Sequence, residues 1–195
     1  MDYPEYNKRV DGVIKDLQAG AHAEVMVKLA ISALTLIKER VQETGVNAKG
    51  QKYKPYSTKP MLIGSKSFLQ KAAAQSVFGS KEKRKNLEWR KVKGHSLAIL
   101  PGGYKQLREL QGRQTDHVDF SVTNSMWNDI NVISKSTDHV KGVAIIGAKQ
   151  DKEKKKLEGN TKRRGDILDL NQKEIEDLKL TYNLGILNIF RENGL

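Results

Sequence analysis

The residues best suited to acid–base or metal chemistry are His22, His95, His117 and His139, and they stand far apart with no HxxxH or HExxH spacing. The tightest local grouping is Asp116, His117 and Asp119, where a metal or a hydrolytic base could be sought. Metal sites need converging ligands held by further hydrogen bonds, and this run reads better as a solvated polar face. Serines are plentiful but none lies in a GxSxG turn, and PGG at 101–103 is a turn. Neither GxxxxGK[ST] nor GxGxxG occurs. The chain has no cysteine, which removes disulfides, thiolate zinc sites and a cysteine nucleophile together. These residues point to a non-enzymatic protein without metal or cofactor.

What the sequence does concentrate is positive charge. The 195 residues carry a formal net charge of +12, with 37% hydrophobic and 30% charged residues. Such a balance suits a polyanionic partner, nucleic acid first. The low apolar content implies a chain that is partly mobile or partly covered by a neighbour. "MDYPEYNKRV" lacks the form of a signal peptide, and no apolar run reaches the roughly 18 residues that cross a bilayer. The expectation is a protein of a reducing cytoplasm with no membrane contact.

The charge sits in two tracts. "KEKRKNLEWRKVK" (81–93) has seven Lys or Arg against two Glu, and 149–164 has eight against three acids. Lys81, Lys83, Arg84 and Lys85 in the first are candidates for phosphate contact. So are Lys154, Lys155, Lys156, Arg163 and Arg164 in the second. Clustered cations release counterions from nucleic acid without reading its sequence. Trp89 is the only aromatic in the first tract and the second has none, so stacking on bases is not the mode. The competing reading of each tract is a solvated loop.

The elements that must carry these residues follow from periodicity. Met26, Ala30, Ala33, Leu34, Ile37 and Val41 recur at steps of three and four, predicting a helix over about 20–43 that Gly45 ends. A shorter helix is predicted at 10–17. The stretch 59–115 reads as a basic loop excursion with short helical pieces at 66–78 and 104–111. From 116 the period becomes two: Val118, Phe120 and Val122, then Ile130 and Val132, then "GVAIIGA" (142–148) predict an antiparallel meander. The third strand is apolar on both faces and therefore central or covered twice. Asn171 and Glu174 have the spacing of a capping box before a last helix faced by Ile175, Leu178, Tyr182, Ile186 and Ile189. The expected fold is α+β. An antiparallel sheet of about three to four strands packs against a long N-terminal and a C-terminal helix. A single domain spans 1–195, with a basic loop insertion at about 59–115.

Three blocks in order, "RVQETGVNAKGQKYKPYST" (40–58), "GYKQLRELQGRQTDHVDFSVTNSMWNDINV" (103–132) and "KKLEGNTKRRGDILDLNQKEIEDL" (155–178), carry a resemblance. Together they resemble the virion-morphogenesis or tail-completion proteins of tailed bacteriophages, which form the neck at the head–tail junction. Asn124-Ser125 stands where that family often has a Thr-Gly bend, and 59–102 is unmatched. The resemblance implies a structural virion protein, assembled in the bacterial cytoplasm as a homo-oligomeric ring, a hexamer or dodecamer, around the DNA channel. Its partners would be the portal or connector, the tail proteins and, without sequence preference, genomic double-stranded DNA. In such a ring Tyr53, Pro55 and Tyr56, with Met126 and Trp127, would be anchors at the subunit interface. Packing of the tyrosines on the chain's own helix is the other reading. The alternative function is a nonspecific DNA-binding accessory protein of the phage particle.

Overall fold

The long apolar periodicity between Gly20 and Glu43 folds as anticipated, and the helices and strands around it are antiparallel-sheet α+β architecture. The computed structural model describes residues 3–64, 87–121, 124–137 and 142–195. In chain order these form α1 (Tyr3–Gln18), α2 (Ala21–Glu39), β1 (Met61–Gly64), β2 (Glu88–Val92) and β3 (His95–Leu100). Then come α3 (Gly103–Leu110), α4 (Ser125–Asp129), β4 (Ile130–Thr137), β5 (Gly142–Ala148), α5 (Asp151–Arg164) and α6 (Gln172–Glu192). The chain divides into two compact units, Met1–Lys52 with Asp119–Leu195, and Tyr53–Val118.

In the first unit, α2 buries Val25, Ala30, Ala33, Leu34 and Ile37. It packs on α6 and on the β4–β5 hairpin. It ends in a π-turn, Arg40–Thr44, closed by Gly45 at a φ of 65°, whose N–H donates to the Val41 carbonyl. The upstream helix begins at Tyr3, well before the predicted Val10. Val13, Val25 and Ile189 tie α1, α2 and α6 into one core cluster. At Gly185 a Cβ would come within 2.9 Å of Val25, so α6 lies close against α2 because that position has no side chain.

The meander is only half formed. β4 and β5 pair antiparallel from Ile130↔Ala148, with an irregularity between Val132 and Ser134. No third strand joins them among the described residues, so β5 is not covered twice: Val143 and Ile145 remain exposed. The strand predicted at 118–122 fails at Phe120, whose φ of 53° is left-handed. Val122 lies outside the described residues.

The second unit contains most of what read as a basic loop. β1, β3 and β2 form a three-stranded antiparallel sheet in that order. Lys93 and Gly94, at φ 47° and 79°, make the two-residue turn between β2 and β3 whose backbone matches strand twist. Ile63, Ala98, Leu100 and Leu107 form its core, with Met61, Leu87, Tyr104 and Leu110 packed against them. The helix predicted at 104–111 is α3. The stretch 66–78 and the candidates Lys81, Lys83, Arg84 and Lys85 lie outside the described residues.

Candidate nucleic-acid interface

The second basic tract is a helix. Residues 151–164 contain one large apolar side chain, Leu157, so burial of hydrophobic surface does not build α5. Charge order does: Asp151 and Glu153 occupy the first turn and Lys162, Arg163 and Arg164 the last, each sign where the helix dipole favours it. Gly165 follows at φ 93° and stops it.

One side of α5 is fastened by polar contacts. Glu153 is buried at 4% exposure, accepting from Lys156 Nζ at 2.8 Å and from Ser125 Oγ at 3.3 Å. Lys156 Nζ also reaches Ser125 Oγ at 2.9 Å. The Gln150 backbone N–H donates to Asp129 Oδ2 at 2.8 Å, fixing the entry to the helix at the end of α4. Asn160 contacts Met126 Sδ at 3.6 Å, and the Arg164 guanidinium stands 5.8 Å from the centre of the Phe120 ring.

The opposite side is a cationic stripe. At 3.6 residues per turn, Lys152, Lys155, Lys162 and Arg163 fall within an arc of about 100°, away from Glu153, Leu157 and Arg164. All four are exposed, and none makes an ion pair with any described residue. Gly159 lies in the same arc, where a Cβ would meet nothing within 4 Å. From 152 to 163 the stripe is about 17 Å long. Nothing on it is shaped to read a base edge; it can neutralise phosphate.

The sequence candidates separate on this helix. Lys155 and Arg163 belong to the stripe. Lys154 lies off it and pairs with Asp151 at 3.1 Å, Lys156 is engaged with Glu153, and Arg164 turns inward over Phe120. Lys152 and Lys162 were missed. A helical period applied to the cations rather than to the apolar residues finds them.

The aromatic candidates are core residues. Tyr53 and Tyr56 are 5% and 6% exposed, and Tyr56 lies 5.5 Å from Tyr104 with the Arg108 guanidinium 4.4 Å over its ring. Both are buried and belong to the second unit, so neither stands out as an anchor for a neighbour. Pro55 alone of that group is exposed. Met126 and Trp127 are likewise buried, at 4% and 2%, and Trp127 Nε1 donates to the Asp119 carbonyl at 2.9 Å.

Arg40 is buried with every nitrogen engaged. Nε donates to Glu174 Oε1 at 2.7 Å, and the two terminal nitrogens reach the carbonyls of Val46 and Asp169 at 2.8 and 2.6 Å. Glu174 Oε2 at the same time accepts from the Asn171 N–H at 2.8 Å, completing the capping box. This network holds the turn after Gly45 to the start of α6. It is architecture.

Of the expected solvated face Asp116 is exposed, whereas His117 is half-buried and Asp119 buried. Asp119 is buried and accepts from the Ser121 N–H at 2.8 Å, and the His117 N–H donates to Gln114 Oε1 at 3.2 Å. Among the described residues no three His, Asp or Glu side chains converge on a point that could hold a metal ion. Asn124, at a φ of 56°, takes the left-handed turn that a glycine would otherwise take there. Comparison of the chain with family models, with curated proteins and with solved structures found no match.

Proposed function

We propose that this protein is a structural component of the head–tail junction of a tailed phage, assembling as a ring and presenting the outer face of α5 to double-stranded DNA. The single observation that carries the DNA contact is the stripe Lys152, Lys155, Lys162 and Arg163, without an ion-pair partner among the described residues and opposite a face fastened by Glu153. The order of the three sequence blocks supports the neck assignment. Its partners in this reading are copies of itself, the portal or connector and the tail proteins. A DNA channel needs charge without sequence preference, because each base contact would be a stopping point for the passing genome.

Two measurements test the proposal on purified protein. Native mass should show a closed ring without DNA, since heterologous contacts that close generate one. A chain that stays monomeric until DNA is added is instead the nonspecific DNA-binding accessory protein. Binding to duplexes of unrelated sequence should be equal in affinity and fall steeply with salt, by a log–log slope of about −0.9 per phosphate engaged. A salt-resistant preferred sequence would overturn the channel reading.

A further inference from the structure

Helix α6 is apolar on two sides. Ile189 and Gly185 face α2, yet Leu180, Leu184 and Leu187 on the other side are 62%, 49% and 48% exposed. Their spacing of four and three puts them in one stripe of the kind that packs against a partner helix. A helix with apolar residues all round belongs in an interior or an interface. Leucine alone does not say what covers it. The charges at the two ends of the stripe do.

Asp177 lies seven residues before Leu184 and Arg191 seven residues after it. Seven residues are about two turns, so both side chains rise from the leucine face. Both are exposed, and neither makes an ion pair with any described residue. If a second α6 lies parallel on this stripe, Asp177 meets Asp177 and Arg191 meets Arg191. If it lies antiparallel about a two-fold axis through Leu184, Asp177 of each copy meets Arg191 of the other, and Leu180 comes beside Leu187. We infer that the Leu180–Leu184–Leu187 face of α6 is a symmetric, antiparallel contact between two copies of this chain. Asp177 and Arg191 are complementary in that orientation and not in the parallel one, as an isologous contact requires. One helix face is smaller than the roughly 800 Å² per partner of a standard interface, so the contact by itself is a weak one, in the micromolar range.

Sedimentation equilibrium of the full chain, with circular dichroism as the control for folding, tests this. Leu184→Glu puts two carboxylates on the axis and should weaken the association at least a hundredfold, with helix content unchanged. Asp177→Arg and Arg191→Asp should each weaken it about tenfold by placing like charges opposite, and combining them should restore it. In a parallel pairing each side chain meets its own copy, so either single reversal would only exchange one like-charge pair for another and leave association where it was. Association that none of the charge changes moves would therefore overturn the inference, the pairing being parallel or α6 not being the contact. Salt-dependent DNA binding by α5 does not depend on the outcome, so the two proposals fail separately.

Discussion

Helices α5 and α6 follow one another in the chain and share a plan, with different results. Each has a glutamate at its third position that is buried: Glu153 in α5 and Glu174 in α6, at 4% and 5% exposure. Glu174 is held by a capping box and by Arg40, whose side chain is itself buried. Glu153 is held by Lys156, whose side chain is 41% exposed, and by a serine hydroxyl. Behind these anchors α6 carries apolar residues on two sides and α5 carries cations on its free side. The comparison teaches that a buried carboxylate can seat a helix with almost no apolar face, leaving the rest of its surface free for charge.

The anchors themselves give the largest expected difference. Glu174→Ala strands the Arg40 guanidinium in the interior with one charge partner lost, which should cost about 3–5 kcal/mol. Glu153→Ala leaves Lys156 and Ser125 able to turn to water, and should cost about 1 kcal/mol. Denaturant unfolding of the two variants would check this; equal losses would show that Lys156 is as constrained as Arg40. The caps should differ next. Asn171→Ala removes the side-chain acceptor of the Glu174 N–H at 2.8 Å and should cost about 1 kcal/mol. Gln150→Ala at the start of α5 should cost nothing measurable, because only its backbone is used, the N–H by Asp129 and the carbonyl by the Glu153 and Lys154 N–H groups.

The same contrast explains what the sequence made legible. α2, the capping box and the β4–β5 hairpin were readable because each announces itself through apolar period or cap chemistry. α5 was not, since Leu157 is its one large apolar residue and its seat depends on Glu153 and Asn160 meeting α4. The alternation Val118–Phe120 imitated a strand, while the backbone at Phe120 turns left-handed and its ring faces the Arg164 guanidinium. Tyr53 and Tyr56 looked like interface anchors because large aromatics suit both an interface and a small core. Burial separates the two, and a sequence does not display it.

The central claim, that α5 turns its free cations toward a polyanion, is tested most directly by the salt dependence of duplex binding in two charge-reversal variants. One changes Lys152, Lys155, Lys162 and Arg163 to Glu; the other changes Arg90, Lys91 and Lys93, exposed cations of β2 and its turn. Reversing the α5 stripe should lower the magnitude of the log–log slope by about 3.6, from four phosphates at about 0.9 each, and weaken binding to every sequence alike. Reversing the hairpin cations should leave the slope near that of the parent. An unchanged slope in the α5 variant, with the loss falling on the hairpin variant, would contradict the account.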